Sequence, residues 1–137
     1  MKDLLFIIGS ESDRESLAPG LELMNEKGLS GDLVVYSAHR NLPELTEFLK
    51  VNEPEYRVII TAAGLSAALP GVVAALVQSP VIGIPLVAGP LSGMDALLSI
   101  LQLPKGIPVA TMGIGKQGVL NAVHLAERII RAGREKR

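Results

Sequence analysis

Five short apolar runs, most of them β-branched, each give way to a longer helix-compatible stretch, and this alternation leaves few folds open. Repeated βα units build a parallel sheet, because a strand that returns in the same direction needs a crossover. The spacing predicts strands at residues 4–8, 33–36, 57–61, 81–84 and 108–112. Helices are predicted at about residues 13–27, after 41, up to about 77, at about 92–102 and up to 132. Ser12 followed by Glu15 has the spacing of a capping box, and Gly28 closes that first helix. Asn41, Pro43 and Glu44 open the second helix, with proline tolerated in the first turn. Every connection is short, so residues 1–137 are expected to form one domain of α/β class, a helical layer on each face of a five-stranded parallel sheet.

Composition agrees with a sheet covered on both faces. Hydrophobic residues make up 48% of the chain but aromatics only 3%, so Val, Ile, Leu and Ala must fill the core. There is no cysteine, and the two histidines are far apart in sequence, which argues against a disulfide framework and a structural zinc site. A formal charge of −1 argues against nucleic-acid binding, which needs many neutralised phosphates. The basic residues Arg128, Arg131, Arg134, Lys136 and Arg137 gather at the end of the last helix, where cations are favoured. Only five apolar residues precede Gly9, too few for a signal peptide or a membrane span, so a cytoplasmic location without membrane partners is expected.

The third and fourth helices are apolar on nearly every face, through Leu69, Val72, Val73, Leu76 and Val77 in one and Met94, Leu97, Leu98, Leu101 and Leu103 in the other. Covering a sheet takes only an apolar stripe. The surplus predicts a homo-oligomer with these helices at subunit contacts.

Ligands of open parallel sheets bind beyond the C-terminal strand ends, and the polar and glycine-rich loops of this chain lie there. After the second strand, Ser37-Ala38-His39-Arg40 sets a hydroxyl, an imidazole and a guanidinium side by side. Arg40 and Ser37 suit an anion, and His39 suits proton transfer near neutral pH. After the first strand, Gly9, Ser10, Ser12 and Asp13 combine backbone room, hydroxyls, a helix N-terminus and a carboxylate, fitting a phosphate and ribose hydroxyls. Helix capping alone would equally explain Ser12. After the third strand, Ala62, Ala63 and Gly64 leave room for a planar ligand, Ser66 adds a hydroxyl, and Leu65 and Leu69 complete the stretch. Tight strand-helix packing would also want these small residues.

Other candidates read as structural. Gly113, Gly115 and Gly118 follow the last strand, not the first, and miss the dinucleotide spacing; Lys116 misses that of a phosphate-loop lysine. His124 lies well inside the last helix, a surface or interface position, and Asp95 in the fourth helix takes a structural role by default.

Together these loops identify a family. Gly9-Ser10-x-Ser12-Asp13, Ser37-Ala38-His39-Arg40, Ala63-Gly64 with Leu69-Pro70-Gly71, residues 80–85 and residues 106–111 resemble the catalytic subunit of phosphoribosylaminoimidazole carboxylase, class I. That class is the N-carboxyaminoimidazole ribonucleotide mutase of purine biosynthesis. The resemblance implies a flavodoxin-like three-layer domain, a homo-octamer with shared active sites, and a reaction without a cofactor. It further implies that His39 is the general acid and base. By the same resemblance Ser10, Ser12, Ser37 and Arg40 bind the phosphate and neighbouring groups, Asp13 the ribose, and Ala63 and Gly64 the base and carboxylate. Gly9, Ala38, Leu65, Ser66 and Leu69 complete the expected substrate contacts.

The chain departs from the family at Ala68, where bacterial members commonly carry histidine, and it ends at Arg137, short of the tail many of them have. Class II relatives carboxylate aminoimidazole ribonucleotide with carbon dioxide directly and usually have lysine where Arg40 stands. That class is one alternative, and a non-catalytic ribonucleotide-binding module is the other. A phosphate-accepting receiver domain would need an aspartate where this chain has Thr61-Ala62-Ala63, and a flavin carrier would need aromatic rings better placed than Tyr36 and Tyr56.

Overall fold

The computed structural model describes every residue except Ser66, Lys136 and Arg137. Its elements run β1 (Lys2–Ile8), α1 (Arg14–Glu26), β2 (Gly31–Val35), α2 (Leu42–Asn52), β3 (Tyr56–Ala63), α3 (Leu69–Leu76), β4 (Val81–Pro85), α4 (Met94–Leu101), β5 (Ala110–Thr111) and α5 (Gly115–Glu135). All four strand pairings are parallel and the order is β2-β1-β3-β4-β5, the flavodoxin-like arrangement, with its reversal point between β1 and β3.

Period-two alternation divides the core between the two faces of the sheet. Leu4, Phe6, Ile8, Val58, Ile60, Ala62, Ile82 and Ile84 face α1 and α5, against Leu17, Met24, Val119, Val123 and Ile130. Leu5, Ile7, Ile59, Ala63 and Val81 face α2, α3 and α4, against Leu45, Leu49, Val73 and Ile100. Each fully buried Val, Leu, Ile or Phe side chain contributes about 1.5–3 kcal/mol, so these largely aliphatic half-cores hold the layers together. Helices α1 and α5 approach at Gly20, where an added Cβ would lie 2.7 Å from Val119 Cγ1. No helix among the described residues is long and apolar enough to cross a membrane.

Several boundaries differ from those the sequence predicts. β3 continues two residues past Thr61 because Ala62 and Ala63 pair with Ile84 and Pro85 of β4. β2 begins at Gly31, since its partners Leu4 to Ile8 are ready to pair, and it stops at Val35. β5 has only two residues, paired to Ile82 and Gly83. α4 starts at Met94, not Ser92, because Ser92 (φ 54°) and Gly93 (φ 87°) adopt left-handed backbone that no α-helix contains. α5 carries on through Ala132 to Glu135. The capping box of Ser12 and Glu15 does not form. Ser10 takes the capping position instead, before a single 3-10 turn at Glu11–Asp13 that leads into α1.

Candidate active site

The C-terminal ends of β1, β2 and β3 and the start of α3 surround a cavity of about 400 Å³. Gly9, Ser10, Ser12, Asp13, Ser37, Ala38, His39, Arg40, Ala63, Gly64, Leu65 and Leu69 all line it. Ser66 lies outside the described residues. Thus one cavity brings together three loops that the whole of α1 and of α2 separate along the chain.

The first wall is built after β1. Ser10 is extended (φ −152°, ψ 147°), and its Oγ accepts the Ser12 amide at 3.3 Å while its carbonyl accepts the Asp13 amide at 3.0 Å. The Ser10 and Ser12 hydroxyl oxygens are 2.9 Å apart, so one hydroxyl proton joins them and the other is left to point at a ligand. Burial pushes the Asp13 carboxyl above its ordinary value, and a hydrogen bond from the Ser10 backbone offsets part of that rise. Hydroxyl donors from a sugar would relieve the same carboxylate.

The second wall is a tight turn. Tyr36 donates its amide to Ile8 carbonyl at 2.9 Å, the last rung beside β1. Beyond it, Ser37 Oγ accepts the Arg40 amide at 3.2 Å, and Ser37 carbonyl accepts the Asn41 amide at 2.9 Å. This folds His39 and Arg40 outward, and both side chains are exposed at the cavity. No ion pair among the described residues engages Arg40, so its guanidinium fork is open to an anion.

The third wall is mostly backbone. Gly64 packs against the loop after β4, and Leu86 donates its amide to Ala63 carbonyl at 3.0 Å. Leu65 holds a left-handed backbone (φ 55°) with its side chain 53% exposed, an uncommon combination for leucine and a strained one. α3 begins beside the cavity, its N-terminal end adding partial positive charge to that of Arg40.

Two lining residues, Ala68 and Ala88, were not among the substrate contacts expected from sequence. Ala88 follows β4, and the rule that ligands gather at C-terminal strand ends is the signal that points to it. Ala68 puts a methyl group where a histidine would have added a second titratable group. His124 lines a separate hollow with Asn121 and Arg128, and Lys116 another with Glu15 and Ser16, so neither belongs to this cavity. Among the described residues no group of three or more His, Cys, Asp or Glu side chains could hold a metal ion. The arrangement can bind a phosphorylated sugar at one end, lay a flat ring over Ala63 and Gly64, and set an imidazole beside that ring.

Comparison with known proteins gives a consistent result. The AIR carboxylase family model matches residues 3–137. The N5-carboxyaminoimidazole ribonucleotide mutase of Brucella melitensis is 43% identical over 129 residues, covering 93% of this chain and 80% of that protein. The mutase of the same name from Bacillus subtilis is 43% identical over 127 residues, covering 92% of this chain and 78% of the other. The crystal structure of Treponema denticola PurE superimposes with a TM-score of 0.82 at 28% identity, over 95% of this chain and 80% of that one.

Proposed function

The chain belongs to the AIR carboxylase family, and from that premise we propose that it is an N5-carboxyaminoimidazole ribonucleotide mutase of purine biosynthesis. The carboxylate moves from the exocyclic nitrogen to the ring carbon. Loss of the carbamate, with one proton delivered to the nitrogen, leaves aminoimidazole ribonucleotide and carbon dioxide. The ring carbon then attacks carbon dioxide, and the proton it carried is removed. One proton is taken up and one released, so a single acid-base group can serve both steps, and His39 is that group. Ser10, Ser12, Ser37 and Arg40 bind the phosphate and its neighbours, Asp13 the ribose, and Ala63 and Gly64 the ring and carboxylate. Holding carbon dioxide beside the ring replaces a bimolecular encounter by proximity.

The observation that carries this reading is convergence. The cavity gathers His39 with two hydroxyl loops, a carboxylate, the Arg40 guanidinium and a small-residue wall, and among the described residues no other histidine lines it. The mutase reading is preferred to a class II carboxylase because the Brucella melitensis and Bacillus subtilis relatives carry the mutase name, and because position 40 is arginine. Supplying each forward substrate in turn tests this. Turnover of N5-carboxyaminoimidazole ribonucleotide is expected; turnover only of aminoimidazole ribonucleotide with carbon dioxide would assign the other class.

The same reading takes residues 1–137 as one domain acting in the cytoplasm as a homo-oligomer, an octamer by family resemblance. Met94, Leu98 and Leu101 support the oligomer: they stand on one side of α4, each about half exposed, at spacings of four and three residues.

A further inference from the structure

Asn41 occupies the capping position before α2 but makes no side-chain bond to that helix. Its Oδ1 turns back and accepts the Ser37 amide at 3.3 Å, while its own amide donates to the Ser37 carbonyl at 2.9 Å. Both backbone groups of Ser37 are therefore held by one residue. The Asn41 carbonyl meanwhile accepts the Leu45 amide at 2.9 Å, which opens the α2 ladder and ties the turn to a rigid helix. Asparagine at a helix start normally spends its side chain on the helix, so its use on the turn is a departure that needs a reason.

The reason lies in what the turn carries. Among the described residues the His39 imidazole makes no hydrogen bond, and the side chain is exposed. Backbone alone sets where the ring can reach. The turn from Ser37 to Asn41 is closed by three bonds: Arg40 amide to Ser37 Oγ, Asn41 amide to Ser37 carbonyl, and Ser37 amide to Asn41 Oδ1. The last of these anchors the strand end itself, because Ser37 is the first residue past the Tyr36 rung that fastens this chain to β1.

We infer that Asn41 is a positioning residue for proton transfer: its amide oxygen clamps the Ser37–Asn41 turn and so fixes the imidazole of His39 over the reacting ring. This rests on the mutase reading of the cavity. Asn41 touches no reacting atom and acts through the turn.

The test uses Asn41→Ala, Asn41→Leu (the same branched heavy-atom frame, without an acceptor) and Asn41→Asp, which keeps an oxygen to accept the Ser37 amide. For decarboxylation of carboxyaminoimidazole ribonucleotide, Asn41→Ala and Asn41→Leu should lower kcat about tenfold, since small misplacements of a catalytic group are costly. KM should rise as well, by about two- to fivefold, because Ser37 and Arg40 ride on the same turn. Asn41→Asp should recover most of kcat. Amide exchange at Ser37 should quicken in the Ala and Leu variants and not in Asp. Unchanged kcat in an acceptor-free variant, an Asp variant no better than Ala, or unaltered Ser37 exchange would overturn the inference. A wild-type protein with no decarboxylation would instead overturn the mutase reading, and the inference with it.

Discussion

A Cβ added at Gly64 would lie 2.8 Å from the Cβ of Ala88, closer than two such atoms approach in folded proteins. The loops after β3 and β4 are thus pressed together at the small-residue wall of the cavity, and neither can be enlarged without moving the other. Gly64→Ala should cost about 1–3 kcal/mol of stability by overpacking. On the proposed reading it should also reduce turnover, since the displaced segment would be the surface against which the ring lies. Urea denaturation with steady-state kinetics checks both effects; a variant of unchanged stability and rate would show that this contact is not tight in solution.

Ser10 is the acceptor that organises the first wall. Ser10→Ala removes the partner of the Ser12 amide and of the Ser12 hydroxyl, a loss of about 1 kcal/mol as for other capping residues. A ligand that uses both hydroxyls would bind more weakly, so KM for the ribonucleotide should rise by about five- to tenfold. The expected kcat is nearly that of the wild type. A variant whose kcat falls while KM stays constant would move Ser10 from binding into the chemical step.

Away from the cavity, Asp32 accepts hydrogen bonds from Lys2 Nζ at 2.7 Å and Tyr56 Oη at 2.5 Å. Burial, then the Asp32 carboxylate, pushes the Tyr56 phenol up to about 12. The folded protein holds this proton more tightly than the unfolded chain, whose tyrosine titrates near its ordinary value of about 10. The resulting stabilisation is whole below about pH 10 and disappears as pH rises towards 12. Denaturation midpoints between pH 9 and about 11.5 should fall more steeply for wild type than for Tyr56→Phe. Parallel curves would remove Tyr56 from the account of alkaline unfolding.

The exposed face of α4 should be an assembly surface. Leu98→Glu places a charge between Met94 and Leu101, all three side chains being about half exposed in the isolated chain. Light scattering at micromolar concentration should show an oligomer for wild type and smaller species for the variant. A monomeric wild type would contradict the oligomer outright.

Much of this could be read from residues alone, and the exceptions share a cause. Apolar runs alternating with helical stretches predict all five βα units, because burial on both faces leaves a strong local signal. Strand ends are less legible: β3 reaches Ala63 because β4 offers partners there, a fact about another part of the chain. Ser12 matches a capping box by spacing, yet the preceding 3-10 turn gives the cap to Ser10. The cavity's loops are legible from residue chemistry and the sheet-edge rule, whereas packing is what shows that the methyl groups of Ala68 and Ala88 line it. Asn41 looks like an ordinary helix start until its side chain is seen to bond backwards. Thr61, fully buried with Oγ1 unpartnered among the described residues, has no such explanation in the structure.

The central claim is that one imidazole carries the proton in both directions. Decarboxylation of carboxyaminoimidazole ribonucleotide by wild type and His39→Asn measures this directly. The wild type should be active, and the variant should lose about a hundredfold or more of kcat, the range that general acid-base catalysis supplies. Equal rates in the two proteins would contradict it.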